Sequence, residues 1–501
     1  MNSLKLAVLA AGLLATTAAA SAQTLRVGLA EDPDALDPHK ARTYVGRIVF
    51  TSLCDKLVDI SPKLDFVPQL ATEWSYNDDQ TELTFKLRDG VTFQDGSKFD
   101  GDAVKANIER AMTLPDSNRR SELSSVDHVE VVDPSTVKFV LKQPDATLLA
   151  TLSDRAGMML APTAFAEGKE FSQNPICSGP YKFVRRVQND RIELTKYDGY
   201  WDAKDYPIEG VTFLPIVDST VKLANLRSGD IDMLERLAPN DVPSVKGDAA
   251  LQFVPVTGLG YSSIRFNTNN GSRAENPIGK DKRVRQAFQL AVDRDVINEI
   301  IGNGIFPPAQ QPFPPSSPYH SDKFPPVTRD VEKAKALLKE AGVEHPSFEL
   351  DFGTGSANQQ FAELVQAMAA EAGFDIKLRA TEFAAMQKEM EQGNFDAALI
   401  GWSGRVDPDG NIHQFATCKG NLNDSKYCNE EVDKALNAAR RTSDVEERKA
   451  LYDEAQTILQ DDLPLVYTYY QPWPFVLSQK VKGFEAYPDG MIRLKGMSLG
   501  D

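Results

Sequence analysis

The residues that first invite chemistry are Trp402, Ser403, Arg405 and Asp407, inside the run Gly401-Trp402-Ser403-Gly404-Arg405-Val406-Asp407-Pro408-Asp409-Gly410-Asn411. As a nucleophile elbow the run fails. Gly-x-Ser-x-Gly needs its second glycine one residue beyond Gly404. As a calcium loop it also fails, because Asp407 to Asn411 lacks the full spacing and the closing glutamate. We read that segment as a turn. A buried arginine, by contrast, grips a carboxylate or phosphate through two parallel hydrogen bonds. Arg405 is therefore expected to hold an acidic group of a ligand. Two alternatives stay open, a surface pair with Asp407 and a bridge to a carboxylate across a cleft. Trp402 is expected to pack on the ligand's body, since a loop tryptophan among glycines suits a core poorly.

Other catalytic templates are missing. The five histidines, His39, His128, His320, His345 and His413, contain no His-Glu-x-x-His. His413 is read as a lone surface histidine rather than a metal ligand. Gly353-Thr354-Gly355 lacks the third glycine of a dinucleotide site, and no Walker lysine pattern occurs. No base–nucleophile pair emerges, so we expect a binding protein, not an enzyme, with no cofactor and no metal. The four cysteines have no Cys-x-x-Cys spacing. Cys418 and Cys428 close a small Gly/Asn/Ser loop and are expected to be bridged. Cys54 with Cys177 is a second candidate pair, and a buried free thiol is the alternative for each.

The elements that must position these residues follow from periodicity. Ala397 to Ile400 is a short apolar run between Gly393-Asn394 and a glycine, which suits a strand covered on both faces. Trp402 and Arg405 then sit at the strand's carboxyl end, where open α/β sheets bind ligands. Upstream, strands at Phe348–Phe352 and Ile376–Ala380 alternate with helices at Asn358–Ala372 and Phe383–Gln392. That β-α-β-α-β order predicts a right-handed, mostly parallel sheet. Its rim would carry Phe352 to Gly355, Thr381 to Phe383 and Trp402 to Arg405.

Earlier in the chain, Leu25, Val27 and Leu29 alternate as a first strand, and a short helix carries Tyr44, Ile48 and Leu53. Leu83, Phe85 and Leu87 face inward with a period of two. Asp102 is expected to cap a helix with the stripe Val104, Ile108, Ala111. Phe253–Val256 and Ser263–Phe266 read as strands, as do Leu465–Tyr470 and Gly483–Glu485. Asp281 to Ile301 reads as one long amphipathic helix. The proline-rich stretch Phe306 to Pro326 is expected as an ordered surface wrap, because Phe313, Tyr319 and Phe324 give it something to bury.

Composition bounds the function. The chain has 501 residues and a net charge of −17, with no basic block, which opposes nucleic-acid binding. Lys5, the apolar stretch Leu6–Ala20 and Ala20-Ser21-Ala22 read as a cleaved secretory signal over residues 1–22. No cysteine follows closely, so no lipid anchor is expected.

Several stretches in order also make the chain resemble a known family. They are Val67-Pro68-Gln69-Leu70-Ala71-Thr72-Glu73-Trp74, Phe85 to Gly96, Ser178-Gly179-Pro180-Tyr181, Arg283 to Phe288 with Asp293-Arg294, Ala334 to Leu338, and Gly401 to Pro408. Together they are similar to the large periplasmic solute-binding proteins of ABC importers, the dipeptide/oligopeptide/nickel family. The resemblance implies an α/β, two-lobed periplasmic-binding-protein fold (type II-like) with an extra α+β subdomain inserted in the first lobe. Lobe I would take residues 23–49, 178–264 and 471–501, the inserted subdomain 50–177, and lobe II 265–470. The lobes would close on a solute, and the closed form would dock on an ABC permease at the inner membrane, as a periplasmic monomer.

The resemblance also exposes departures. Dipeptide-binding members hold the peptide's ammonium with an acidic residue after Gly-Trp, and here Arg405 stands at that position. The arginine that holds the peptide's carboxylate is matched by Phe352. Asp407 remains available for an ammonium group, and Tyr44, Tyr261 and Ser403 are candidate walls. The expected solute is a short peptide or peptide-like compound. The alternative is an anionic non-peptide such as an opine, a sugar conjugate or a metal chelate, and a secreted hydrolase ranks below both.

Overall fold

A computed structural model describes residues 23–166 and 169–500, so the signal-peptide reading of residues 1–22 lies outside the described residues. The first strand, Thr24–Leu29, and the helix Tyr44–Leu53 form as the pattern predicts. The strand joins a mixed sheet that counts ten strands among the described residues. One end of that sheet is the expected β-α-β-α-β unit. Ser347–Gly353 lies parallel to both Asp375–Thr381 and Ala397–Trp402, with helices Ser356–Ala370 and Phe383–Glu391 as the crossovers. The other end is built from Thr24–Leu29, Gly210–Pro215, Arg191–Lys196 and Tyr181–Val187.

Two long strands, Leu251–Phe266 and Leu465–Ser478, run antiparallel through the middle and join these ends. The two short strands read near 253–256 and 263–266 are thus one strand, with register shifts between Thr257 and Tyr261 and between Ser262 and Ser263. Bulges of this kind let one strand bend and continue. Positions 264–265 and 470–471, where the sequence reading divides the lobes, fall inside these strands.

A separate four-stranded antiparallel sheet is formed by Ala71–Tyr76, Glu82–Leu87, Thr136–Leu141 and Val126–Asp133. Leu83 and Phe85 are fully buried on one face, with Leu87 buried beside them. Helix Gly101–Thr113 covers this sheet. Its cap is Asp100, which accepts from the Ala103 N–H at 3.2 Å, and not Asp102, which lies in the first turn. The capping geometry needs extended backbone, and Asp100 has it.

The expected helix 281–301 is two helices, Lys282–Ala291 and Arg294–Ile300. Asp293 breaks it by accepting from the N–H groups of Asp295 and Val296, which starts a second helix. The expected strand at Gly483–Glu485 is instead the short pair Val481–Lys482 with Ser498–Leu499. The proline-rich stretch is ordered around buried Phe313 and Tyr319, which pack with Tyr452. Both cysteine pairs, Cys54–Cys177 and Cys418–Cys428, are disulfides. Among the described residues no helix is long and apolar enough to cross a membrane.

Candidate ligand-binding cleft

The strand Ala397–Trp402 delivers its last residue to the edge of a cleft of about 820 Å³. One wall comes from residues 121–154, within the inserted stretch, and the other from residues 402–441. Of the three strand ends expected on the rim, only Trp402–Arg405 contributes to this lining.

The chain must turn sharply after Trp402, and Gly404 makes this possible. Its φ of +84° is left-handed, and a Cβ there would strike the Leu259 backbone, so the loop lies tight against the long central strand. Asn411, at the start of the helix Asp409–Ala416, then fixes the loop from below. Its Oδ1 accepts from Trp402 Nε1 at 2.9 Å and from the Arg405 backbone N–H at 2.7 Å, and its Nδ2 donates to Arg405 O at 2.8 Å. The Tyr261 hydroxyl donates to Asn411 O at 3.0 Å. The segment read as a turn therefore opens a helix.

Arg405 lies with its guanidinium 4.4 Å from the centre of the Trp402 ring. Its Nη1 donates to Gly404 O at 2.8 Å and to Ser403 Oγ at 3.4 Å. No carboxylate pairs with it among the described residues, so neither the Asp407 pair nor a bridge across the cleft is formed. Burial pushes its pKa down to about 10, reinforced by Arg47 and opposed by Asp154 and Glu122. A half-buried cation with no carboxylate in direct contact is poised to accept an anion.

Asp407 faces Arg448, which donates to both of its oxygens at 2.9 and 3.0 Å. Asp409 is held in the same manner by Arg440, at 2.7 Å to each oxygen. Both carboxylates are thus engaged, and no cluster of metal-ligating side chains forms among the described residues. His413 Nε2 lies 3.0 Å from Asn437 Oδ1 at the cleft's edge, and burial lowers its pKa.

Across the cleft stands Asp154, paired with Arg47 at 2.8 Å. Burial alone would raise its pKa, but Arg47 and Arg155 outweigh that and hold it well below the usual carboxylate range. Burial and Arg119 in turn push Arg155 down to about 9. These arginines stand behind the facing wall, whose lining carries Asp154 and Glu122 but no arginine.

The seven sequence candidates separate by position. Trp402, Arg405 and Asp407 line the cleft, and Ser403 touches Arg405. Phe352 is buried in the core, on the parallel strand Ser347–Gly353 itself. Tyr261 is buried behind the loop and supports Asn411. Tyr44 stacks on Trp473, with ring centres 4.3 Å apart, outside the lining. Reading the sequence missed Asn411 and the wall 121–154. The only signal for Asn411 was its place just after Asp409-Gly410.

Known proteins share this architecture. The chain is 28% identical over 479 residues to the glutathione-binding protein GsiB of Pectobacterium atrosepticum, covering 93% of this chain and 92% of the relative. It is 28% identical over 532 residues to the dipeptide-binding protein of Escherichia coli, covering 97% of each. The solved ABC transporter substrate-binding protein CtaP of Listeria monocytogenes superposes with a TM-score of 0.86 at 25% identity, covering 95% of this chain and 99% of that one. The sequence profile of the bacterial extracellular solute-binding proteins, family 5, matches residues 65–423, and the chain belongs to that family.

Proposed function

We propose that this chain is the solute-capturing component of an ABC importer and that its solute is a short peptide or peptide-like compound bearing a surplus of acidic groups. The observation that carries the reading is Arg405, a half-buried guanidinium in the cleft, stacked on Trp402 and without a carboxylate partner among the described residues. Relatives named for glutathione and for dipeptides support a peptide-like solute. Glutathione itself has more carboxylates than ammonium groups, so it satisfies both requirements. The engagement of Asp407 by Arg448 weighs against a free ammonium anchor at that residue.

On this reading the chain is exported by the segment 1–22, works in the periplasm as a monomer, and hands its solute to a membrane permease. Lobe I (23–49, 178–264, 471–501) with its inserted unit 50–177 closes on lobe II (265–470) by flexing the two long central strands. Closure follows a ligand only to the extent that the ligand binds the closed form better.

The test is calorimetric titration of glutathione, neutral dipeptides and a non-peptide opine into the wild type and Arg405→Gln. Removing one partner of a desolvated charge pair should cost about 2 kcal/mol or more, roughly thirtyfold in Kd. An acidic ligand bound equally by both proteins would remove Arg405 as the anchor. Preference for the opine over every peptide would move the solute to the non-peptide class.

A further inference from the structure

Charge around the cleft is unevenly spent. Four carboxylates in its lining are each held by an arginine: Glu122 by Arg119 at 2.5 Å, Asp154 by Arg47 at 2.8 Å, Asp407 by Arg448 at 2.9 Å and Asp409 by Arg440 at 2.7 Å. Asp145 is the remaining lining acid, and it accepts from the Thr147 N–H at 2.9 Å and from the hydroxyls of Thr147 and Ser125. Arg440 apart, the lining arginines and lysines show the opposite pattern. Arg405 has no carboxylate partner, and neither do Lys142, Lys419 and Arg441 among the described residues. Lys142 Nζ donates only to Ser124 O, at 3.0 Å. These last three side chains are exposed and stand at the outer edge of the cleft, whereas Arg405 is drawn inward under Trp402.

The cleft therefore carries unspent positive charge at two depths, on a molecule whose net charge is −17. Such a local reversal of sign focuses the field on the cleft. The volume, about 820 Å³, lies at the large end of small-molecule sites and has room for a second group.

We propose that Lys142, Lys419 and Arg441 form a second, outer anion subsite, so that the solute carries an acidic group beyond the one held by Arg405. This inference rests on the peptide-like reading given above. The outer cations draw the solute in and hold its second acid at the mouth, while Arg405 and Trp402 hold the first. Lys142 belongs to one wall and Lys419 and Arg441 to the other, so an acid placed between them also draws the walls together.

The experiment compares Ala-Glu-Ala with Ala-Gln-Ala, a pair that differs by one carboxylate, in wild type and in Lys142→Gln/Lys419→Gln/Arg441→Gln. At low salt the wild type should bind Ala-Glu-Ala about tenfold more tightly, chiefly through faster association. The advantage should fall below about twofold in the triple variant, and should shrink in the wild type as salt rises from about 50 to about 500 mM. Should the variant fold poorly, the salt series on the wild type alone still separates the outcomes. Equal binding of the two peptides by the wild type, or an advantage that survives both the triple variant and salt, overturns the outer subsite and leaves the peptide reading standing. Binding of neither these peptides nor glutathione nor any dipeptide removes the peptide reading, and the outer subsite with it.

Discussion

At the scale of single residues, the cleft depends on Asn411 as much as on Arg405. Asn411 is almost fully buried and satisfies three groups of the Trp402–Arg405 loop with one side chain. Asn411→Ala would leave two donors and one acceptor without partners. An unsatisfied buried polar group costs about 1–3 kcal/mol. We expect a loss of about 3 kcal/mol in urea unfolding, with weaker solute binding, and Asn411→Asp should restore the two accepted bonds but not the donated one. Asp59 gives a second residue-level expectation. It accepts from Arg493 Nη2 at 2.8 Å and from Lys56 Nζ at 2.5 Å. Burial pushes its pKa up, but Arg493 and Lys56 outweigh burial and hold it well below the usual carboxylate range. A carboxylate depressed in the folded state stabilises above its unfolded pKa, about 3.9, and that contribution fades as pH falls below it. Asp59→Asn should therefore cost about 3 kcal/mol at pH 7. The gap from wild type should shrink by only about 1 kcal/mol at pH 3, because the folded-state carboxyl is still ionised there, read from urea midpoints at the two pH values. Trp402 and Arg405 were legible in the sequence because a glycine-flanked loop at a buried strand's end is a local pattern. The engagement of Asp407 was not, since Arg448 lies far along the chain and only the fold brings them together.

At the scale of elements, local signals were readable wherever one residue decides the outcome. The strand–helix alternation from 347 to 402 followed from period and glycine punctuation, and its parallel pairing followed from connection length. The break at Asp293 was misread because the apolar stripe continues through it, while the capping bonds that divide the helix are invisible in periodicity. The central strand Leu251–Phe266 was split in the reading because Gly258 and Gly260 interrupt its apolar pattern, though their lack of side chains is what admits Trp473 and the Trp402 loop beside them. The disulfides bear on stability at this scale. Cys54–Cys177 spans 123 residues and Cys418–Cys428 spans 10. On the loop-entropy account these are worth about 5 and about 3 kcal/mol. Replacing each pair by serine should lower the melting temperature in that order. The Cys418–Cys428 variant should also perturb solute binding, because Lys419 and Asn421 of that loop line the cleft.

At the scale of the whole molecule, the two walls already touch beside the cleft. Ala146 N–H donates to Arg440 O at 2.9 Å. Ile60, Leu64 and Leu259 form a small buried cluster, and Val406 and Tyr487 pack against it. This cluster gathers the inserted unit, a central strand, the cleft loop and the C-terminal segment, so it is the kind of contact that opening would break. Leu64 offers a clean way to test that. Its φ of 71° is left-handed, a conformation that leucine dislikes and asparagine tolerates. Leu64→Asn should therefore leave the turn 61–65 intact, or better formed, while removing apolar surface from the cluster. Losing about 40 Å² of burial costs about 1 kcal/mol in the closed form alone. Apparent affinity scales with the fraction of molecules that are closed before binding. For a free protein that is mostly open, the variant's Kd should rise about fivefold. X-ray scattering should show the same solute-saturated radius of gyration for both proteins, reached at higher solute concentration in the variant. A wild-type Kd in a correctly folded Leu64→Asn protein would mean that the cluster does not change between open and closed forms, and the moving surface would then have to lie nearer the Ala146–Arg440 edge.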